Sequence, residues 1–221
     1  MLAAMLKIEK GVTAIIGSGG KTSLMYALAE ELGQNGRVIV CTTTHILKPQ
    51  TVPCLLDEAC EKAPDFLRHG RIVCLASQEE NKLTAPPVQM QTLQSWADYV
   101  LVEADGARML PAKAHACHEP AVPPLAGQSV CVFGISAIGK PICKAAHRPQ
   151  LFAENLGVSA DTVLTPELAA AHLIRENLHT RIFINQADTQ ADRENAEKLA
   201  ALLPCEVCIG SLKKGYYKCL Y

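Results

Sequence analysis

The 221-residue sequence has no excess of charge of either sign, because 21 basic and 22 acidic side chains give a formal net charge of −1. It therefore offers no basic field for nucleic acid and no acidic tail. A run of about eighteen apolar residues, the length that crosses a bilayer as a helix, is found nowhere in the chain. Internal repeats and low-complexity tracts are also missing. We expect a globular protein with neither nucleic acid nor a membrane as a partner.

The amino-terminal stretch also lacks the layout of a secretory signal, since its apolar part before Lys7 is too short for one. Cysteine is plentiful at ten residues, but the chain is neither small nor visibly secreted, which argues against a disulfide framework. Cys41, Cys74 and Cys131 lie within apolar runs and are predicted to be buried, reduced thiols. Together these features predict a cytoplasmic protein.

Cys205 and Cys208 form a single C-x-x-C motif without a second pair. Residues three apart in a strand face opposite sides, so a structural role is favoured over zinc or redox chemistry.

Strand-like and helix-like segments alternate along the chain. Seven mostly apolar runs predict strands at residues 12–16, 37–41, 71–75, 99–103, 129–134, 181–185 and 206–209. Helical patterns cover residues 22–32, 87–97 and 192–203, and another begins at Thr165 and Pro166. Continuous apolar strands are typical of a parallel sheet covered on both faces. We predict one α/β domain over residues 1–221, a three-layer sandwich around a mainly parallel sheet.

A glycine-rich turn between the first predicted strand and the following helix is the most informative motif. It consists of Gly17, Ser18, Gly19, Gly20, Lys21, Thr22 and Ser23. Glycines let backbone N–H groups face a polyphosphate, and the helix N-terminus adds its positive dipole end. Lys21 would reach the outer phosphates, where it could also act in catalysis, and Thr22 would offer a hydroxyl to Mg²⁺. The turn predicts a nucleotide-binding site.

The motif is shorter than usual. The common pattern G-x-x-x-x-G-K-[ST] would place its first glycine at position 15, where this chain has Ile15. The loop is similar to the G-T-N-G-K-T loop of Mur-type ligases. The alternative is a glycine-rich turn with an ordinary surface lysine, which the order of strand, glycines, Lys-Thr pair and amphipathic helix disfavours.

Two carboxylates follow the fourth predicted strand. Glu103 ends the apolar run, and Asp105 comes two residues later, just before Gly106. Ligands of open α/β sheets bind at the carboxyl ends of strands, where a P-loop protein carries the carboxylate that holds Mg²⁺ directly or through water. We predict that Glu103 and Thr22 hold the metal, with Glu103 and Asp105 as candidate catalytic residues. A solvated strand end is the alternative.

A later strand leads into Asn185, Gln186, Ala187 and Asp188. This run resembles the N-K-x-D element of GTP-binding proteins, in which the aspartate accepts hydrogen bonds from guanine and the asparagine braces the loop. Gln186 replaces the lysine, which weakens the preference for guanine. Asn185 and Asp188 are therefore predicted to bind the nucleotide, either GTP or ATP, and a simple turn is the alternative.

Other polar residues suggest a second ligand. Thr44 and His45 follow the second predicted strand, where they could serve the site or make local turns. A proline-rich segment at about 106–125 carries Arg108, Lys113, His115, His118 and Glu119. We interpret it as a functional loop that binds an anionic ligand or stabilises phosphoryl charge. A solvated loop is the alternative.

The motifs together resemble the YqeC family over essentially the whole chain. They are Gly17 to Thr22, Thr42 to His45, Val102 to Arg108, Pro111 to His115, Glu119-Pro120, Gly139 to Pro141, Thr165 to Glu167 and Asn185 to Asp188. The resemblance implies a P-loop NTPase-like fold and an accessory role for selenium-dependent molybdenum hydroxylases, in making a selenium-containing molybdenum cofactor.

We therefore expect a Mg²⁺-dependent GTPase or ATPase that acts in cofactor maturation. Its partners would be the nucleotide and either an anionic cofactor of the molybdopterin type or a molybdenum hydroxylase. Two alternatives stay open. One is a nucleotide-switched chaperone or carrier without chemistry on the cofactor, and the other is a Mur-like ATP-dependent ligase module.

Overall fold

The computed structural model describes residues 1–220. Contacts divide the chain into two compact units. The first comprises Met1–Ile15, Thr22–Gly106 and Ala121–Ser129, and the second comprises Ile16–Lys21, Ala107–Pro120 and the chain from Val130 onward. The single domain predicted from the sequence stays a prediction.

The first unit is built on parallel strands. Its strands are β1 (Gly11–Gly17, whose last two residues belong to the second unit), β2 (Val38–Thr42), β3 (Cys54–Leu56), β4 (Ile72–Glu79), β5 (Lys82–Thr84) and β6 (Tyr99–Glu103). The order is β1-β6-β2-β4-β3, and β5 pairs antiparallel with β4. Glu103 lies opposite Ile15 of β1 and Thr42 of β2. This register places the carboxyl ends of three strands at one edge.

Four helices begin in the first part of the chain: α1 (Leu2–Met5), α2 (Lys21–Leu32), α3 (Ala63–His69) and α4 (Met90–Trp96). A 3-10 helix at Asp57–Lys62 leads into α3. The predicted apolar face of α2 is buried, at Leu24, Met25, Leu28 and Leu32. A core cluster of buried residues joins the helices to the strands, with Val73, Leu93 and Val102 among its members.

The second unit contains shorter strands as well as longer ones. They are β7 (Ala112–Lys113), β8 (Ala126–Gly134, of which residues 130–134 belong to this unit), β9 (Ala146–His147), β10 (Arg181–Asn185), β11 (Val207–Ser211) and β12 (Tyr216–Leu220). β8, β10 and β11 are parallel neighbours, and β12 adds an antiparallel edge. β7 and β9 form a separate parallel pair.

The helices of the second unit are α5 (Ile142–Ala145), α6 (Pro149–Leu156), α7 (Pro166–Glu176) and α8 (Gln190–Ala201), with a 3-10 turn at Ile135–Ala137. α7 begins at Pro166, as the sequence predicted. The Thr165 hydroxyl accepts the Leu168 N–H at 3.3 Å and so caps the helix. α7 packs on α6 and α8, and α8 packs on β11.

The prediction of an α/β fold with a mainly parallel sheet is confirmed. The three-layer arrangement stays a prediction. Cys41, Cys74 and Cys131 are buried free thiols, as expected. Within residues 1–220, no helix combines the length and the apolar character needed to cross a bilayer.

Candidate nucleotide-binding site

Residues 17–21, here termed the phosphate loop, join β1 to α2. Gly17, Gly19 and Gly20 have φ of +90°, +91° and +122°, a region that side chains rarely adopt. A Cβ on Gly17 would lie 2.3 Å from the Val132 carbonyl oxygen, and one on Gly19 would lie 2.4 Å from the Gly134 nitrogen. The glycines are therefore required both for the turn and for its close approach to β8.

Lys21 curls back over this loop. Its Nζ donates to the Gly17 carbonyl oxygen at 2.9 Å, and the residue is 4% exposed. The Ser18 N–H donates to the Val132 carbonyl at 2.8 Å, and the Ser18 hydroxyl donates to the Leu110 carbonyl. Hydrogen bonds to Val132 and to Leu110 thus hold the loop in place. The Lys21 ammonium group lies at the start of α2.

Thr22 and Glu103 supply a pair of oxygen donors in the first unit. The Thr22 hydroxyl donates to Glu103 Oε2 at 2.7 Å, and Glu103 is 5% exposed at the end of β6. The Glu103 carbonyl accepts from the Thr42 hydroxyl at 2.8 Å and from the Thr43 N–H at 3.1 Å. A hydroxyl and a carboxylate are ligands that suit Mg²⁺, so this donor set fits the metal predicted from the sequence.

Asp105 lies beyond the end of β6 and is fully buried. The Ala104 N–H still donates to the Ile15 carbonyl at 3.0 Å, so the chain follows β1 for one more residue. Glu103, by comparison, accepts the Thr22 hydroxyl within the first unit.

Thr44 and His45 make local contacts at the end of β2. The Thr44 N–H donates to the Thr42 hydroxyl at 3.0 Å. His45 Nε2 lies 2.9 Å from Glu79 Oε2, and both side chains are more than half exposed. Thr44 therefore takes part in a side chain to backbone turn, and His45 forms a surface pair.

Asn185 connects the phosphate loop to the end of β11. Its Nδ2 donates to the Gly19 carbonyl at 2.8 Å, and its Oδ1 accepts the Leu212 N–H at 3.1 Å. A Cβ on Gly20 would lie 2.5 Å from Asn185 Nδ2, so glycine is needed here as well. The amide thus braces the phosphate loop within the second unit, and the nucleotide-binding role of Asn185 stays a prediction.

Asp188 contacts Ser211 and Lys214, at and after the end of β11. Its Oδ1 accepts the Ser211 hydroxyl at 2.5 Å, while its backbone carbonyl accepts from Lys214 Nζ at 2.6 Å. The Lys214 N–H donates to the Ser211 hydroxyl at 3.1 Å. Sequence reasoning missed Ser211, Leu212 and Lys214. The available signal was a serine and two lysines within five residues of the end of the predicted strand at 206–209.

Gln186 stands in place of the lysine of the N-K-x-D element. Its φ is +68°, and its Oε1 accepts the Ser136 hydroxyl at 2.6 Å. A Cβ on Gly134 would lie 2.5 Å from the same oxygen. Gln186 therefore packs against the end of β8 and holds the turn that carries Asp188.

Some charged residues of the 106–125 segment are buried and paired with carboxylates, and others are exposed. Lys113 Nζ lies 3.1 Å from Glu119 Oε2, and Arg148 Nη2 lies 2.9 Å from the same oxygen. His115 Nδ1 lies 2.7 Å from Glu176 Oε2. The Lys113 and His115 side chains are 1% and 4% exposed. Lys113 thus forms an internal ion pair and His115 an internal hydrogen bond, whereas Arg108 is exposed.

These pairs govern two carboxyl pKa values. Burial raises the pKa of Glu119, but the charges of Lys113 and Arg148 outweigh it and leave the pKa below its ordinary value. Burial likewise raises the pKa of Glu176, and the hydrogen bond from His115 brings it below the ordinary value. Both carboxylates are ionised partners in the interior of the second unit.

Within residues 1–220, no cluster of three or more His, Cys, Asp or Glu side chains has the geometry of a metal site. Cys205 lies before β11 and is half-buried, whereas Cys208 lies inside that strand and is buried. The geometry gives the C-x-x-C motif no further function.

The α/β fold and the glycine-rich loop between strand and helix have the layout of the P-loop class. More particularly, the chain belongs to the YqeC family, because the family model described as YqeC protein matches residues 13–150. This match includes the phosphate loop, Glu103 and the 106–125 segment. It ends before Asn185 and Asp188.

Two known proteins are similar to the chain. The protein of Escherichia coli (strain K12) named "Uncharacterized protein YqeC" is 31% identical over 169 residues, which are 69% of this chain and 63% of that protein. The chain thus spans less than two thirds of its relative's length. The crystal structure of PAB0955, a GTPase in apo form from Pyrococcus abyssi, aligns with a TM-score of 0.47 at 15% identity. That alignment covers 92% of this chain and 91% of the other.

Proposed function

We propose that the chain is a Mg²⁺-dependent nucleotide-binding protein that hydrolyses a nucleoside triphosphate. The single observation that carries the proposal is the phosphate loop, whose positive-φ glycines are held by Asn185 through the Gly19 carbonyl. The backbone N–H groups of such a loop and the start of α2 suit a polyphosphate. Lys21 is the cation that would move from the Gly17 carbonyl to the phosphates.

The nucleotide that we propose is GTP. The Asp188 carboxylate is held at one oxygen by Ser211, and Asn185, three residues earlier, accepts the N–H of Leu212, the residue after Ser211. A carboxylate anchored in this way could accept the N1–H and N2–H₂ donors of guanine, whereas adenine presents no such pair of donors. ATP is the alternative substrate.

Magnesium would be held by the Thr22 hydroxyl and Glu103, with Asp105 as a nearby catalytic or water-holding carboxylate. When bound, the cation neutralises phosphate charge. The protein groups orient the nucleotide: Lys21 pairs with the phosphate oxygens, and the buried Glu103 keeps the Thr22 hydroxyl in place.

The biological role that we propose is maturation of a selenium-containing molybdenum cofactor for molybdenum hydroxylases. Support comes from membership of the YqeC family and from the charged 106–125 segment, which suits an anionic second ligand. In the alternative reading, a nucleotide-switched carrier, hydrolysis would only reset binding to a partner enzyme. A Mur-like ligase module is a third reading, based on the shortened loop.

The test of nucleotide binding is calorimetric titration of GTP with Mg²⁺ into the wild type and Lys21→Ala. Loss of a charge-assisted interaction should cost about 2–3 kcal/mol, or roughly thirtyfold to more than a hundredfold in affinity. Lys62→Ala, at an exposed position, is the matched control and should bind as the wild type does. Equal affinity of Lys21→Ala and wild type would refute the phosphate-loop assignment.

Single-turnover assays then separate the proposed roles. A covalent product that needs an added anionic acceptor would support a transferase or ligase. Hydrolysis stimulated only by a partner hydroxylase would support the carrier.

A further inference from the structure

A cavity of about 380 Å³ lies within the second unit, apart from the residues of the phosphate loop. Its lining includes Arg108, Cys143, His147 and Arg148. The volume falls at the lower end of the range of small-molecule sites. One part of the lining is cationic, and another part, formed by Leu110, Ala146 and Pro149, is apolar.

The cationic part has an excess of positive charge. Arg148 is oriented by Glu119, which accepts from its Nε at 3.2 Å, and Lys113 approaches the same carboxylate from the protein interior. Among residues 1–220, Arg108 forms neither a hydrogen bond nor an ion pair. Lys113 and Arg148 thus share the Glu119 carboxylate, while Arg108 adds a further positive charge to the cavity lining, where its guanidinium is available to an anion.

The pKa of His147 responds to the same positive charges. Burial lowers this pKa, and the charges of Lys113, Arg148 and Arg108 lower it further, against an opposing effect of Glu119. At the outer side of the cavity, the Cys143 thiol donates to Asp161 Oδ1 at 3.4 Å, and Lys144 is the next residue.

The two arginines share an unusual backbone conformation. Arg108 and Arg148 have φ of +48° and +60°, a left-handed conformation that is unusual for residues other than glycine. The β7–β9 pair holds His147 beside Lys113, and the Ala114 N–H donates to the His147 carbonyl at 3.0 Å. Strained residues of this kind tend to gather at ligand sites, because the surrounding structure must hold them in place.

We propose that this cavity binds the phosphate group of a small phosphomonoester, with Arg108 and Arg148 on the phosphate and the apolar wall against the rest of the molecule. Guanidinium groups match phosphate oxygens in pairs. The cavity is also larger than a phosphate ion needs. This inference deepens the proposal of a second, anionic ligand, and it assigns that ligand to Arg108, Arg148 and His147 instead of Lys113 and His115, which form internal pairs. It does not depend on nucleotide binding.

Cys143 provides a local readout, because its exposed thiol lines the cavity. We would measure the rate at which iodoacetamide alkylates each cysteine, by peptide mapping, while phenyl phosphate is added at constant ionic strength. Cys117, which is also exposed but does not line the cavity, is the internal control. The alkylation rate of Cys143 should fall with a saturable dependence, and that of Cys117 should not change. Equal slowing of both thiols, or no slowing, would overturn the proposal.

Variants connect this protection to the arginine. Arg108→Gln should raise the half-protecting concentration roughly tenfold or more, the change expected for loss of a charge-assisted contact. Arg175→Gln removes the same charge from an exposed site on α7 in the same unit and should have no effect. If both variants lose protection equally, the effect is general electrostatics and the proposed site is wrong.

Two further arms identify the source of the anion. Phenyl phosphate should protect Cys143 at a lower concentration than orthophosphate, because the apolar wall contributes only to the ester. Equal protection would contradict a phosphomonoester. Lys21→Ala should keep the protection, since Lys21 does not line the cavity. Its loss there would assign the anion to the phosphate loop and overturn this proposal, whereas failure of GTP to bind would overturn only the nucleotide site.

Discussion

At the scale of single residues, Glu103 and Asp105 differ in their surroundings although they lie two positions apart. Glu103 accepts the Thr22 hydroxyl at 2.7 Å, whereas Asp105 is fully buried beyond the end of β6. We predict that Glu103→Gln weakens the Mg²⁺ dependence of GTP binding or turnover more than Asp105→Asn does, because it removes charge from the donor pair with Thr22. Titrating Mg²⁺ with both variants decides between the two carboxylates. A larger defect in Asp105→Asn would reverse the assignment.

Asp188 tests the identity of the base. In Asp188→Asn, the amide N–H₂ would face the guanine amino group donor to donor, so GTP affinity should fall. An unpaired buried polar group costs about 1–3 kcal/mol, or roughly fivefold to more than a hundredfold in affinity. Xanthine carries a carbonyl in place of that amino group, so the variant should prefer XTP to GTP.

Competition binding of GTP, XTP and ATP measures this preference. Asp192→Asn is the matched control, because it makes the same chemical change in the capping box of α8, one turn away. It should leave the nucleotide preference as it is. If wild type binds ATP as well as GTP and Asp188→Asn changes neither, the segment after β10 is only a turn.

Local motifs could be predicted from the sequence, whereas contacts between residues distant in the chain could not. The glycines of the phosphate loop could be identified because their spacing and their place between strand and helix are local. The Lys113–Glu119–Arg148 cluster could not be predicted, since the β7–β9 pairing, which sets His147 opposite Lys113, is what brings Arg148 to Glu119. The same holds for Ser211, which meets Asp188 across 23 positions of the chain.

At the scale of elements, the seven apolar runs correctly predicted the positions of the longer parallel strands, but not that of the three-residue strand β3. β6 and β10 have the predicted bounds, because each is a buried run that ends in a polar residue. β12 was missed: its five residues are partly exposed, contain Lys218, and form a strand by pairing with β11. β4 extends beyond its predicted end because β5 folds back on it as an antiparallel neighbour.

The start of α8 is an element with a measurable contribution. The Thr189 hydroxyl accepts the Asp192 N–H at 3.1 Å, and Asp192 Oδ2 accepts the Thr189 N–H at 2.9 Å. Thr189→Ala should therefore lower the free energy of unfolding by about 1 kcal/mol. Chemical denaturation measures the loss. Gln190→Ala, in the same turn, removes only an exposed contact with Glu194 and should change stability by less than about half of that amount. Equal effects would contradict the capping role.

At the scale of the whole molecule, one buried and two half-buried histidines make stability depend on pH. Burial lowers the pKa of His172, which stacks on Phe152 at 3.7 Å between ring centroids. Burial also lowers the pKa values of His147 and His179. Each histidine binds a proton more readily in the unfolded chain, so acidification below about pH 6.5 favours unfolding. The slope is about 1.4 kcal/mol per pH unit for each proton taken up.

The carboxylates act at lower pH. The pKa values of Glu119 and Glu176 lie below their ordinary values, so both contribute stability above the unfolded pKa of about 4.5 that is lost as pH falls through their folded values. The folded protein should therefore lose stability in two stages on acidification, the first from histidines and the second from these glutamates.

We predict that His172→Gln flattens the first stage, since glutamine does not titrate but keeps an N–H donor for the Lys113 carbonyl that His172 Nε2 meets at 2.9 Å. Urea denaturation followed by circular dichroism between about pH 8 and about pH 5 measures the slope. The histidine account requires a smaller slope in the variant even if its stability at neutral pH is lower, because a lost contact shifts the whole curve whereas a lost titration changes its gradient. An unchanged gradient would show that His172 is not a source of the pH dependence and would leave the first stage to His147 and His179.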